Sequence, residues 1–183
     1  MRTIDKQTIF LALGLSLIGV FGRLLPHLWN FAPIVAIGLF AGTYLGTRSA
    51  ILVPMMAMVL GDIFLGFYDW HVMVAVYGSF VTIALCGRFL IDRVNPTTVL
   101  MASIGGSVFF YLSTNAAVWA YGTMYPHTGS GLIASYVAGI PFFRNALMGD
   151  VIYTSTLFGA YALFTSYLSA RSTSSDRIAN PIA

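Results

Sequence analysis

Three charged side chains lie within or at the edge of long apolar segments of this chain: Asp62, Arg144 and Asp150. At the centre of a membrane helix such a group costs about 2.5–3.5 kcal/mol unless it faces a partner or a wet cavity. A planar guanidinium suits a carboxylate or phosphate, and a carboxylate accepts hydrogen bonds from amines and amides. We therefore predict that Asp62 and Arg144 bind a polar ligand. The alternative is that Asp62 pairs with Arg144 or Arg23 and only holds helices together.

Asp150 follows Arg144 by six residues. On a helix with 3.6 residues per turn, that spacing separates the two side chains by about 120°. They therefore do not share a face, and we predict that Asp150 is a structural brace.

Polar and aromatic side chains accompany these charges. Tyr111, Asn115 and Trp119 are four residues apart and so share a helix face. For Trp29, an aromatic belt at the membrane surface is an alternative to ligand contact. The predicted ligand-binding set comprises Asp62, Arg144, Asn145, Asn115, Trp119, Tyr77, Trp29, Asn30 and His71.

The motifs of common catalytic sites are absent from the sequence. There is no HExxH pair for zinc and no GxSxG nucleophile elbow, and no lysine follows Gly129-Ser130-Gly131 as in a P-loop. Cys86 is the single cysteine, so a cysteine metal cluster is excluded. We predict no enzymatic activity, no intrinsic cofactor and no structural metal.

Composition places the chain in a bilayer. Of its 183 residues 58% are apolar and only 8% are charged, whereas soluble domains carry about 25% charged residues. The net charge of +3 is small and scattered and does not favour a nucleic-acid partner. The length fits one compact membrane domain.

Six helices are predicted, so the fold class is an all-α integral membrane protein. The second is short and Gly-rich, and it is tilted, broken or buried among the others. Glycines interrupt residues 126–139, for which we predict a loop and a short surface helix, within a lid at about 121–139. The helices cover residues 8–25, 32–46, 49–67, 72–91, 98–121 and 141–169, between an N-terminus at 1–7 and a flexible tail at 170–183.

The distribution of Lys and Arg predicts the orientation. All nine basic residues except Arg23 and Arg144 lie at the termini or at the connections 46–49 and 88–93. By the positive-inside rule, these sites and both termini are cytoplasmic. Asp62 and Arg144 then lie in the outer half of the membrane.

The first helix carries small residues about one turn apart: Ala12, Ser16 and Gly19. Small residues at this spacing allow another helix to approach closely. Internal packing and docking of a partner protein explain the pattern equally well.

Two segments resemble a known group of proteins. Residues 30–68 carry a Gly-rich region ending in Asp62 and Gly66, and residues 114–150 carry Thr-Asn, Val-Trp and Ile-Pro-Phe-Phe-Arg-Asn elements. Together they resemble an uncharacterised family of small prokaryotic membrane proteins. That family is similar in layout to the substrate-binding S-components of energy-coupling factor (ECF) vitamin transporters, and the similarity spans most of residues 8–168.

The resemblance implies a six-helix protein that binds a vitamin-like micronutrient near the outer face of a bacterial inner membrane. It implies docking on an ECF transmembrane subunit and its ATPases through Ala12 and Ser16, or solitary action like the bacterial cobalamin transporter. With cobalamin as ligand, the candidate axial ligands of cobalt are His71, His27 and His127. The alternative function is a structural or accessory subunit with internally paired charges and no ligand cavity.

Overall fold

The computed structural model describes the backbone of residues 6–25 and 30–179, and the side-chain environments of residues 8–25 and 30–171. Regular structure in these ranges is entirely helical, which confirms the all-α prediction. The elements are α1 (Lys6–Leu24), α2 (Ile34–Tyr44), α3 (Thr47–Leu65), α4 (Trp70–Cys86), a 3-10 turn (Gly87–Leu90), α5 (Pro96–Tyr121) and α6 (Gly129–Ala179).

Capping side chains fix two helix starts. The Asp69 carboxylate accepts from the backbone amides of His71 and Val72 at the start of α4. Asn95 and Thr98 form a reciprocal capping box at the start of α5, with Pro96 in its first turn. Such caps satisfy amides that the helix itself leaves without partners.

Four of the described helical segments are long and apolar enough to cross a membrane: Thr47–Leu65, Trp70–Leu90, Pro96–Tyr121 and Gly129–Arg171. Thr8–Leu24 and Ile34–Tyr44 are apolar but shorter. Large apolar side chains such as Phe10, Phe89 and Leu163 are about three-quarters exposed, as expected for a surface in contact with lipid.

Helix α2 is the buried centre of the bundle. Every residue from Ile34 to Thr43 is buried, and α1, α3, α4, α5 and α6 all contact this helix. Eleven residues extend only about 16 Å, so α2 does not span a bilayer alone. Of the three predicted alternatives for this helix, burial is the one observed.

Glycines allow α2 and α4 to touch. A Cβ atom on Gly42 would lie 2.0 Å from the carbonyl oxygen of Ala84, and one on Gly87 would lie 2.5 Å from that of Leu39. The Thr43 hydroxyl lies 2.9 Å from the Gly87 carbonyl oxygen and joins α2 to the 3-10 turn that follows α4.

The connections divide between two ends of the bundle. One, here called the Asp69 end, carries the end of α1, the start of α2 and the connections 66–69 and 122–128. The other, the Arg93 end, carries 45–46 and 91–95. The predicted outer side corresponds to the Asp69 end.

The small residues of α1 pack inside the molecule. Ser16 and Gly19 are buried, and a Cβ atom on Gly19 would lie 2.6 Å from the Cβ atom of Ala57 in α3. The Ser16 hydroxyl donates to the Ala12 carbonyl oxygen at 2.9 Å. Internal packing and docking of a partner protein were the two explanations of this pattern. The contact of Gly19 with Ala57 in α3 is internal packing.

The structure differs from the prediction in residues 129–139. They form the first turns of α6, which continues through Pro141, and not a separate surface helix. Gly139 and Gly131 do not break the helix. A Cβ atom on Gly139 would lie 2.5 Å from Asn115 Oδ1, and a Cβ atom on Gly131 would lie 1.9 Å from the Pro126 carbonyl oxygen. These glycines serve close packing, as small residues often do in membrane helices.

Candidate ligand-binding site

A cavity of about 340 Å³ lies between the helices toward the Asp69 end. It reaches the surface, because the exposed side chains of Asn30 and Tyr68 belong to its wall. Its other walls come from the start of α2 and from α3, α4, α5 and α6. The polar lining consists of Arg23, Asn30, Tyr68, Thr114 and Asp150, and the apolar lining includes Val35, Met58, Val76, Phe80, Phe110 and Ala146.

An internal ion pair stands beside this cavity. The Arg23 guanidinium at the end of α1 donates to the Asp62 carboxylate in α3, whose side chain is 1% exposed. Arg23 Nη1 also donates to the Met58 carbonyl oxygen at 3.2 Å, and the Tyr77 hydroxyl donates to Asp62 Oδ2 at 2.7 Å. The pair thereby links α1, α3 and α4 next to the cavity.

The space for this arginine depends on a glycine. A Cβ atom on Gly61 would lie 3.2 Å from Arg23 Nε. The glycine immediately before Asp62 therefore lets the guanidinium lie along α3.

Asp150 in α6 also belongs to the cavity wall and is 4% exposed. Its Oδ2 atom is 2.6 Å from the Ser107 hydroxyl in α5. Ser103 and Thr154, both also buried, continue this polar layer through a 3.1 Å hydrogen bond between their hydroxyls. No ion pair within the described residues involves Asp150.

A second cavity of about 140 Å³ shares Asn30, Phe110, Thr114 and Ala146 with the first. Asn115 and the aromatic side chains of Tyr111, Phe142 and Phe143 line it. The two cavities therefore adjoin and offer an aromatic extension toward the start of α6.

Tyr68 supplies a hydroxyl at the cavity mouth, in the connection between α3 and α4. Burial and the nearby Asp62 carboxylate raise the pKa of its phenol to about 12. The phenol is thus protonated at physiological pH and is able to donate a hydrogen bond.

Arg144 and Asn145 do not line either cavity. Arg144 is exposed, and within the described residues no hydrogen bond or ion pair involves it. Arg144 does not lie with Asp62. Of the two partners predicted for Asp62 in the structural alternative, Arg144 and Arg23, the structure pairs it with Arg23. The prediction that Asp150 only braces the bundle misses its place in the cavity wall.

Trp119 holds the connection 122–128 and lines neither cavity. Its indole donates to the Pro126 carbonyl oxygen at 3.1 Å, and its ring lies edge-on to His127 at 6.1 Å between centroids. His127 lies 3.2 Å from the Gly122 carbonyl oxygen. This connection is the part of the predicted lid that remains outside α6.

His71 does not reach the cavity either. It stacks on Tyr121 at 4.4 Å between ring centroids and lies 3.3 Å from Asp69 Oδ1. The predicted cobalt ligand His27 and the predicted site residue Trp29 lie outside the described residues. Among the described side chains, no group of three His, Cys, Asp or Glu residues could hold a metal ion.

Of the predicted set, Asn30 and Asn115 line the cavities, and Asp62 and Tyr77 lie one layer behind. Four polar residues of the lining were not predicted to bind a ligand: Arg23, Tyr68, Thr114 and Asp150. One signal pointed to Arg23: it is a basic residue at a helix end where the positive-inside rule predicts none.

These features define the class of protein. The fold is an all-helical bundle with several long apolar helices, so the chain is a helical membrane protein with a cavity of mixed polar and apolar lining among its helices.

Comparison with known proteins adds the family. Residues 3–172 match a family of unknown function, DUF6580, and the chain belongs to that family. No curated protein and no solved structure gives a significant match to the chain.

Proposed function

We propose that this protein binds a small, vitamin-like micronutrient within its bundle and serves the uptake of that compound across the bacterial inner membrane. It acts as a substrate-binding subunit or as a solitary transporter. One observation carries the proposal: a buried carboxylate, Asp150, lines a cavity that reaches the surface at Asn30. Ionisable groups inside membrane helices characteristically face ligand or ion pathways.

The size of the cavity favours a compact ligand. A volume of about 340 Å³ stands at the lower end of the range of roughly 300–1,000 Å³ for small-molecule sites. A single or fused ring with a few polar substituents fits this volume. Cobalamin is much larger, so it would require the helices to separate.

The connection 122–128 is proposed as a cover for the Asp69 end. It begins where α5 ends, and Trp119 and His127 hold it in place. Docking on an ECF subunit through Ala12 and Ser16 is not needed for ligand binding. The burial of Ser16 against α3 favours a solitary protein or a different docking surface.

The second candidate is a structural or accessory subunit. The Arg23–Asp62 pair favours it, because a buried pair with internal partners needs no ligand. The cavity favours the first candidate, since a purely structural bundle has no need of a polar cavity.

Mass spectrometry of gently purified protein tests the proposal. We expect wild-type protein to carry a small molecule that is lost in Ala146→Trp, because Ala146 lines both cavities. Met148→Trp is the matched control, since Met148 is 56% exposed on the same helix and should retain the molecule. A folded Ala146→Trp variant with unchanged ligand content would contradict the proposal.

A further inference from the structure

The charges around the cavity do not balance within the described residues. The lining contains one cation, Arg23, and one acid, Asp150. Arg23 is already paired with the buried Asp62 carboxylate. Ionised Asp150 therefore leaves the site with an excess of one negative charge.

Within the described residues, the Asp150 carboxylate has a single hydrogen-bond donor. Its hydrogen-bond donor is the Ser107 hydroxyl at 2.6 Å, which lies 3.0 Å from the Ser103 carbonyl oxygen as well. A hydroxyl has one hydrogen and can donate to only one of these acceptors at a time. A carboxylate that is only 4% exposed is best stabilised by a charged partner or several donors, and a single shared hydroxyl is neither.

The remaining walls indicate what kind of cation would fit. Phe80 and Phe110 stack at 4.8 Å between ring centroids, and Val35 and Met58 are also apolar. Such walls suit an organic body better than a hydrated alkali ion, and aromatic faces attract cations. Arg23 keeps the positive end of a ligand near Asp150, and its unused N–H groups can donate to an acceptor at the other end.

We propose that the ligand is a compact organic cation whose protonated or quaternary nitrogen pairs with Asp150, while its ring lies against the aromatic wall. This inference rests on the proposed function and narrows its substrate class. It assigns recognition of charge to Asp150 and leaves the Arg23–Asp62 pair as the fixed frame of the site.

Matched probes that differ in charge test the inference. One set is 1-methylnicotinamide, nicotinamide and nicotinate, and the other is benzamidine, benzamide and benzoate, so each set offers a cation, a neutral molecule and an anion of similar shape. Binding to full-length protein in lipid nanodiscs is measured by titration calorimetry. We expect benzamidine, as its cation, to bind at least about tenfold more tightly than benzamide, as one charge-assisted hydrogen bond implies. The quaternary nitrogen of 1-methylnicotinamide has no N–H to donate, so its tighter binding relative to nicotinamide reports the charge alone.

Two variants locate the preference. Asp150→Asn keeps the shape of the side chain but removes its charge, so the cation and the neutral probe should bind about equally tightly. Ser107→Ala keeps the carboxylate, so the preference for the cation should remain. Equal binding of cation and neutral probe to wild-type protein would mean that Asp150 is a neutral acid, and would overturn the inference even if Asp150→Asn did not fold. Failure of every cation to bind would also overturn it.

Separate titrations with NaCl and with choline chloride distinguish binding of an alkali ion from binding of an organic cation. Saturable binding of sodium alone, with none of the organic cations, would overturn the inference in favour of an alkali-ion site. Binding of neutral or anionic probes that Ala146→Trp abolishes would refute the cation and leave the proposed function standing. Absence of binding by all probes, together with no co-purified molecule, would refute both.

Discussion

At the scale of single residues, the Arg23–Asp62 pair explains how two costly charges persist in an apolar bundle. Asp62 is 1% exposed and receives hydrogen bonds from both Arg23 and Tyr77. Removing one partner of a buried pair typically costs about 3–5 kcal/mol, because the other charge is left uncompensated, whereas removing both costs much less.

A double-mutant cycle tests this pair. We expect Arg23→Met and Asp62→Asn each to lower the unfolding free energy by about 3 kcal/mol, and the double variant to lose clearly less than the sum. Chemical denaturation in detergent measures all three. Arg144→Met is the control and should change stability by less than about 0.5 kcal/mol, since Arg144 is exposed. Additive losses would show that the two charges are not coupled.

The residue scale also shows where sequence reasoning ends. Asp62 is conspicuous as a carboxylate in an apolar run, and its importance was predictable. The partner of Asp62 was not predictable, because Arg23 and Arg144 both lie at helix ends that point to the same side of the membrane. The packing of α1 along Gly61 places Arg23 beside Asp62. Arg144 and Asp150 were predicted to lie on different faces of their helix, and the structure has Arg144 exposed and Asp150 buried in the cavity wall.

At the scale of elements, close contact between α2 and α4 holds the centre of the bundle. Gly42 and Gly87 bring the backbones of these two elements together. A side chain added at such a contact must displace backbone, whereas one added at an open helical glycine meets nothing.

Two glycine substitutions make this contrast measurable. We expect Gly42→Ala to destabilise the protein by about 1–3 kcal/mol, because its Cβ atom would lie 2.0 Å from the Ala84 carbonyl oxygen. Gly78→Ala is the matched control in α4, with no heavy atom within 4 Å of its Cβ position, and should be neutral or stabilise by up to about 1 kcal/mol. Equal effects on the thermal midpoint would refute the close contact.

The start of α4 depends on the Asp69 cap. Backbone hydrogen bonds from Val72 and His71 lower the pKa of the Asp69 carboxyl in the folded protein. Since the folded pKa is depressed, the cap contributes stability above the unfolded pKa of about 4, and this contribution is lost as the pH falls through the folded value.

Thermal midpoints against pH test the cap. Asp69→Ala should lower the midpoint near neutral pH, and the difference from wild type should shrink below about pH 4. Asp69→Asn keeps an acceptor for the amides. Near neutral pH its thermal midpoint should lie between those of wild type and Asp69→Ala, and the contribution of its cap should depend little on pH. A constant difference between Asp69→Ala and wild type at all pH values would contradict the role of the charge.

The elements themselves were mostly predictable, because apolar length and turn residues mark their bounds. There are two exceptions. In residues 129–139, glycines suggested a break and instead permit contact of α6 with Asn115 and Pro126. Residues 170–179 were predicted to belong to a flexible tail and instead form the last turns of α6. A sequence does not distinguish a glycine that ends a helix from one that lets a neighbour approach.

At the scale of the whole molecule, the alternation of the helices predicts two opposite faces in the membrane. The Asp69 end and the Arg93 end carry different connections, and the positive-inside rule assigns the Arg93 end to the cytoplasm.

Labelling with a membrane-impermeant maleimide tests this orientation. In a Cys86→Ser background, Met124→Cys should react from outside intact cells, and Asp92→Cys only after permeabilisation. Both positions are exposed at their respective ends. Reaction of both from the same side would contradict the arrangement.

The central claim is that a cavity open to the surface lies inside this membrane bundle, and the reactivity of a cysteine placed in its wall tests that claim most directly. In the same Cys86→Ser background, Ala146→Cys and Met148→Cys differ only in facing the cavity or the lipid. A thiol must ionise to react with a charged methanethiosulfonate reagent, and water favours that ionisation. We predict that Ala146→Cys reacts much faster than Met148→Cys; equal rates, or a faster reaction at position 148, would contradict the account.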